Sequence, residues 1–295
     1  MAVDLVAARS FMTAHARLLD RHRFNLLIGE GSADAALHAL GGYRNSDGGY
    51  GWGLEPDLRS PESQPSSALH AFEAFADVAP RTSPDAAALC DWLQSVTLPD
   101  GGLPFALPLT DRTGSAPHWA NAEPYPSSLQ ITAIVAAKAH LVAEHDPAVA
   151  AHPWLSGATA YCLRAVSDWE GPMHAIELAF AVQMLDAVHD RHEEVGALLD
   201  KLGRHIPETG VVPVAGGSEG ESMRPLDFAP MPDRQARRLF TAAAVDADLQ
   251  RLAEGQQPDG GWVVDFGAYS PAASLDWRGY ATVSAVATLR ANGFT

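Results

Sequence analysis

A glycine pair recurs along this chain: NSDGGYGWG places it at Gly48 and Gly49, LPDGGLPFA at Gly101 and Gly102, and QPDGGWVVD at Gly260 and Gly261. A degenerate copy, PETGVVPV, sits at Gly210. The outer steps are about fifty residues and the middle gap is about twice that, which places a missing copy near Trp154 to Gly171. A repeat of this length is one supersecondary unit that cannot bury its apolar face alone, so the copies must stack.

An amphipathic helix precedes each glycine loop: SADAALHAL from Ser32, SPDAAALCDWLQSV from Ser83, HPWLSGATAYCLRAV, HEEVGALLDKLGRH and TAAAVDADLQRLAEG. Ser83 followed by Pro84 and Asp85 is a helix-start signature. In the fourth of these helices, Leu198, Leu199 and Leu202 form one apolar stripe while Glu193, Glu194, Asp200 and Lys201 face water. The helices that follow the loops, SSALHAFEAFADV, SSLQITAIVAAKAHL, MHAIELAFAVQML and SLDWRGYATVSAVATL, are apolar on nearly every side and so are expected to be buried all round. The slot near PLDFAPMPDRQARRLF is broken by prolines and is the weakest member. With a helix over residues 3 to 20 completing the ring, the pattern predicts an all-α fold. It is an α/α toroid of helical hairpins, with about six inner and five to six outer helices. No linker divides the chain, so one domain spanning 1–295 is expected.

The 295 residues carry 36 acidic and 20 basic side chains, a formal net charge of -16. That balance disfavours a phosphate backbone or an anionic membrane surface as partner. Cys90 and Cys162 each fall in a helical run, which gives no disulfide framework and no thiolate metal motif and suits a reducing cytoplasm. The N-terminus has no unbroken apolar region of the signal-peptide type. LQITAIVAAKAHLVA is interrupted by Lys138 and is too short to span a bilayer, so no integral membrane protein is expected.

QPDGGWVVDFGAYSP, LPDGGLPFALP and NSDGGYGWGLEPD resemble the glycine-aromatic repeats of the squalene cyclase and protein prenyltransferase superfamily, whose members are α/α toroids. The periodicity covers nearly the whole chain. The resemblance implies catalysis in the toroid mouth, but the family's residues do not transfer. The Asp-x-Asp-Asp acid of the class II terpene cyclases is absent, and its nearest counterparts are Glu55 and Asp57 in LEPDLRS and Asp265 and Asp276 in VVDFGAYSPAASLDW. The zinc ligands of protein prenyltransferases and lanthionine cyclases have no match either, because both cysteines lie on outer helices.

Four constellations stand out. Asp265 and Asp276, with Tyr269, Trp277, Arg278 and Tyr280, place acids among aromatic rings, where a desolvated carboxyl could donate a proton and ring faces could stabilise a cation. The structural alternative has Ser274 capping the helix, Asp276 satisfying first-turn amides and pairing with Arg278, and Trp262 plugging the hairpin. In GWGLEPDLRSPESQP, after Trp52, the residues Glu55, Asp57 and Arg59 alternate in an extended loop ahead of the helix bearing His70 and Glu73. They form either an acid–base pair or a charge-neutralised rim.

HWANAEPYPSSLQI sets Trp119, Glu123 and Tyr125 in a connection too long for a hairpin, either a lid or a surface excursion. DWEGPMHAIELAF puts His174 and Glu177 three apart on one helix face, suited to a buried hydrogen bond or to acid–base work. No nucleotide-binding or serine-nucleophile motif appears. No cofactor or metal is expected, with Mg²⁺ entering only for a diphosphate substrate.

The leading expectation is a terpenoid-cyclase-like enzyme that protonates, cyclises or isomerises a small apolar, isoprenoid-type substrate. Asp276, Asp265, Asp57 and Glu55 are its candidate acids. Trp52, Arg59, His70, Trp119, Tyr125, His174, Glu177, Tyr269, Trp277, Arg278 and Tyr280 are its candidate binding residues, with Trp262 as a further wall. A non-catalytic module that holds a lipid, peptide or protein on the same fold is the alternative. A carbohydrate hydrolase with paired carboxylates is a third reading.

Overall fold

The structure, a computed structural model that describes residues 3–294, is mostly helical, with long loops between several of the helices. The expected 1–295 span runs past the described residues at both ends. The chain opens with α1 (Leu5–His15) and α2 (Leu18–Leu27), continues through α3 (Ala33–Gly41), α4 (Pro65–Asp77), α5 (Pro84–Val96) and the single turn α6 (Pro117–Ala120), and reaches α7 (Leu129–Ala143). It goes on through α8 (Pro147–Ala150), α9 (Pro153–Asp168), α10 (Ala175–Val188) and α11 (Val195–Gly203). A two-residue antiparallel ladder of β1 (Val212–Pro213) and β2 (Ser222–Met223) precedes α12 (Pro225–Phe228), α13 (Ala242–Glu254) and α14 (Pro271–Ala291). No helix among the described residues is long and apolar enough to cross a membrane.

The residues gather into two compact units, one of Met1–Glu30 with Glu170–Thr295 and one of Gly31–Trp169. In the second unit α7 packs between α4 and α9. Leu129, Ile131, Ile134, Val135 and Val142 bury both flanks of α7, as a helix apolar all round must. In the first unit α14 packs on α1, α2 and α13 over Phe11, Phe24, Trp262, Val286 and Leu289, while α10 carries α11 and α12.

Each glycine turn lies between an amphipathic helix and a more deeply buried one, and three of the turns share their geometry bond for bond. Gly48, Gly101 and Gly260 have φ of +93°, +93° and +94°, a region that side-chain-bearing residues rarely enter. The amides of Gly49, Gly102 and Gly261 donate to Oδ1 of Asp47, Asp100 and Asp259 at 2.9, 3.1 and 3.2 Å. The same oxygens then receive the following helix's approach: Ser63 Oγ at 2.8 Å, Ser127 Oγ at 2.6 Å and Arg278 Nη2 at 2.7 Å. One carboxylate thus closes the turn and pins the next helix.

The degenerate copy keeps the turn with weaker parts. Gly210 has φ +73°, and the amide of Val211 reaches Thr209 Oγ1 at 3.4 Å where the aspartate would be. Between α9 and α10, the slot without a glycine pair retains Gly171 at φ +84°.

Caps fall where serine, proline and aspartate direct them. Ser32, Ser83, Ser128 and Thr241 accept first-turn amides of α3, α5, α7 and α13. Three expectations are corrected. The helix over residues 3 to 20 is two helices, because at Ala16 the carbonyl goes to Arg21 Nε (2.8 Å) and an Arg17–Asp20 ion pair (2.8 Å) closes the corner. The last helix starts at Pro271 with Ser270 as cap, accepting from the Ala273 amide at 3.1 Å, so Ser274 is not a cap and Asp276 lies beyond the first turn. His174 is the residue before α10 rather than a member of it, so it does not share a helix face with Glu177.

Candidate functional site

Charged side chains gather at one place in each unit that bears on chemistry, apart from the Arg17–Asp20 pair at the α1–α2 corner. In the unit of residues 31–169, the expected extended, alternating stretch Glu55–Arg59 is instead a pair of tight turns. Leu54 N donates to Gly51 O and Leu58 N to Glu55 O, both at 3.0 Å, with Gly53 at φ +75° turning the chain. Residues 53 to 58 are consequently all buried, and the Glu55 carboxylate accepts the Asp57 amide on Oε1 (3.2 Å) while its Oε2 reaches His70 of α4.

His70 on α4 lies between two carboxylates. Its Nε2 is 3.1 Å from Glu55 Oε2 and its Nδ1 is 3.3 Å from Glu73 Oε2, while Lys138 of α7 reaches Glu73 Oε1 at 3.6 Å. Burial alone would push the imidazole pKa down; hydrogen bonds to Glu55 and Glu73, with their charges, overturn that and raise it. His70 is therefore an imidazolium donating from both ring nitrogens. The four groups balance two negative against two positive charges inside the unit.

The loop that follows is strapped across this one. Ala116 N donates to Asp57 O at 2.8 Å, Gln64 exchanges two hydrogen bonds with the Leu107 backbone, and Arg59 lies alongside Gly53 and Gly114. Trp119 is buried on Phe105, with ring centroids 4.7 Å apart. Tyr125 and Trp52 stand exposed, Trp52 tied by its Nε1 to Asn45 Oδ1 at 2.7 Å.

The other unit places the second cluster on α12, at the proline-broken slot. Arg224 is the residue before that helix, Pro225 its first and Asp227 its third. Asp227 Oδ2 accepts the Arg224 amide at 2.7 Å, and Asp227 O accepts Gln183 Nε2 of α10 at 2.7 Å. Asp248 of α13, itself buried, accepts the Leu226 amide at 3.0 Å and Arg251 Nε at 2.7 Å.

Asp227 is an exposed residue whose carboxyl lies within reach of the charges of Asp248 and Asp265. Loss of hydration is the largest influence on it. The Arg224 amide lowers the pKa, the charges of Asp248 and Asp265 raise it and Arg251 lowers it, leaving the carboxyl pushed up to about 7. A carboxyl pushed up toward neutral pH is suited to both taking and giving a proton.

Sequence reasoning passed over Asp227. The one available signal was Arg-Pro-Leu-Asp as a helix start, with proline in the first position and an acid in the third. Desolvation has no sequence signature.

Among the residues singled out in 260–280, Trp262 is structural: it is buried, its Nε1 donates to Leu252 O at 2.7 Å and its amide to Thr282 Oγ1 at 3.0 Å. Arg278 is bound to the Asp259 turn and lies 4.4 Å from the Phe11 ring centroid, so the expected pairing with Asp276 is replaced by one with Asp259. Trp277 meets Phe266 and Tyr280 edge-on at 5.1 and 5.5 Å, and Arg23 lies 5.9 Å over Tyr280. Asp265 and Tyr269 are exposed and Asp276 is half-buried. His174 Nε2 is 3.1 Å from Ala215 O at the β1–β2 hairpin, and Glu177 follows in the first turn of α10. The aromatic group thus begins beside Asp265, whose charge Asp227 feels. Cys90 and Cys162 are buried, and burial pushes both thiols up, Cys90 to about 12, so neither is a nucleophile.

No family model and no curated protein matches the chain.

Proposed function

We propose that the chain is an α/α toroid of the squalene cyclase and protein prenyltransferase type and an enzyme that moves a proton on a small, apolar, unsaturated substrate, with Asp227 as the acid–base group. The shared geometry of the Asp47, Asp100 and Asp259 turns, each leading into a more buried helix, supports the repeat. One feature carries the chemistry: the Asp227 carboxyl, within reach of the charges of Asp248 and Asp265, is pushed up to about 7.

That pKa selects among the reactions considered. Protonating an unactivated alkene calls for a strong acid, and each pKa unit of weakness adds about 1.4 kcal/mol to the transfer. Isomerisation fits better. Asp227 as carboxylate takes a proton from the carbon between a carbonyl and the C=C bond; that C–H pair becomes a C=C bond to the carbonyl carbon and the C=O π pair moves onto oxygen, giving a dienolate. The Asp227 O–H then returns the proton to the far carbon: the β,γ pair forms the new C–H bond, the enolate C=C pair shifts to the α,β position and the oxygen pair re-forms C=O. The net change is a 1,3-shift of one hydrogen, with no other reactant. Phe266, Trp277 and Tyr280 supply apolar wall for the hydrocarbon part.

The test is a panel of terpene-sized β,γ-unsaturated ketones and aldehydes in D₂O. The native protein should generate the conjugated isomer with deuterium at the γ-carbon, and Asp227→Asn should slow it by about 10²-fold or more. Equal rates for the two proteins would overturn the assignment.

A further inference from the structure

We propose that His70 is a pH-sensitive latch: when it loses its proton, the turn of residues 52–60 and the strap of residues 112–116 that rides on it lift from α4 and give Glu55 to water. The moving body is defined by its own hydrogen bonds. Trp52 N donates to Ser60 O at 2.9 Å and closes the base of the turn, while Ala116 N donates to Asp57 O at 2.8 Å and Leu58 bridges Ser115. Glu55 joins this body to α4, with its Oε2 3.1 Å from His70 Nε2.

The division of charge makes the contact a latch. Glu73, on the same helix as His70, has two cations: His70 Nδ1 is 3.3 Å from its Oε2, and Lys138 Nζ of α7 is 3.6 Å from its Oε1. Glu55 has one. Among the described residues His70 is the cation it pairs with, and its other oxygen takes the Asp57 amide. A neutral imidazole keeps a single N–H and can serve only one of the two carboxylates. Glu73 then still has Lys138, whereas Glu55 becomes a buried carboxylate without counter-charge, a state that hydration relieves. The charged groups of α3 and α5, which also pack on α4, are taken up elsewhere. Asp34 pairs with Arg81, Asp85 with Arg44 and Asp91 with His152, and His38 bonds a carbonyl of its own helix.

Two features of the body oppose its closed position. Trp52, at the base of the turn, has φ +57°, a left-handed backbone that bulky residues rarely adopt. Ser115 Oγ, on the strap, is buried with no hydrogen-bond partner. Closure is held against this strain and this unmet hydroxyl, so loss of the latch tips the balance. The direction follows from the proton. Burial lowers the His70 pKa, and the hydrogen bonds and charges of Glu55 and Glu73 more than reverse that, so the closed form keeps its proton above the ordinary value of 6.5. Opening returns the imidazole toward that ordinary value. Above it, opening releases a proton and is favoured by up to about tenfold per pH unit until the raised value is reached. The device therefore opens on the alkaline side, and it is independent of the chemistry at Asp227.

The experiment is hydrogen exchange of the full chain read by mass spectrometry from pH 6 to pH 9, corrected for the intrinsic pH dependence of exchange, on native protein, Glu55→Gln and His70→Gln. In native protein, residues 52–60 and 112–116 should lose protection at least tenfold over that range and exchange faster than α7 throughout, the mark of a local opening. Glu55→Gln, whose amide needs no counter-charge, should flatten the dependence, and His70→Gln, which cannot titrate, should remove it. Constant protection of the two segments in native protein, exchange at the same rate as α7, or an undiminished pH dependence in Glu55→Gln would each overturn the latch. If His70→Gln does not fold, the comparison of native protein with Glu55→Gln decides.

Discussion

Nε2 of His70 lies 3.1 Å from Oε2 of Glu55 with neither side chain more than 5% exposed, and this contact ties the turn at Glu55 to the middle of α4. Removing the imidazolium leaves Glu55 and Glu73 facing each other without their shared counter-charge. His70→Gln should cost about 3–5 kcal/mol, read from urea midpoints at constant slope. The pH dependence has a definite sign. A histidine whose pKa is raised on folding contributes fully below its unfolded value of 6.5, and the contribution disappears as pH rises through the raised value. Native protein should lose stability on the alkaline side of that range, and the variant should lack that component.

The glycine turns allow a graded comparison. A methyl group at Gly260 would lie 2.1 Å from the Ala7 carbonyl oxygen, whereas at Gly101 its nearest neighbour is 3.4 Å away, although both residues have nearly the same positive φ. Gly101→Ala should cost about 1–2 kcal/mol from backbone strain alone. Gly260→Ala should cost clearly more, since α1 must move. Equal melting temperatures for the two variants would show that the Gly260 turn yields freely.

Arg278 was expected to bind substrate, and its bonds to Asp259 and to the Trp262 carbonyl make it part of the last turn instead. Arg278→Ala should lower the melting temperature without changing the isomerisation rate at temperatures where the variant is folded. An unchanged melt with lost turnover would return the residue to the site.

Asp227 should also appear in stability. Its folded pKa of about 7 lies above the ordinary aspartate value of 3.8, so the folded state holds the extra proton between those values and loses stability as pH rises through them. Asp227→Asn removes the cost of ionisation. Relative to native protein it should gain stability between pH 5 and pH 8; contact with solvent screens much of the effect, leaving about 1 kcal/mol, or roughly 2–4 °C in melting temperature.

How much of this was legible in the sequence depends on whether the cause is local. The turns at Gly48, Gly101 and Gly260 and the helix starts at Ser32 and Ser83 are set by residues within a few positions of one another, and they stand where the pattern put them. The start of α14 was misplaced by one turn because Ser270 and Ser274 both precede plausible helix, and only Ser270 has proline after it. Arg278 found Asp259, nineteen positions back, rather than Asp276 beside it. Glu55 found His70 rather than Asp57 because Gly53 folds the loop inward. Asp227 was invisible for the same reason at larger scale: its surroundings are set by α10, α13 and the loop of Asp265, which come from distant parts of the chain.

The central claim is the proton on Asp227, and a ¹³C titration of the aspartate carboxyl carbons, assigned by comparison with Asp227→Asn, reads it directly. The predicted result is one aspartate titrating near pH 7 and absent from the variant. An Asp227 resonance titrating near the ordinary 3.8 would contradict the account.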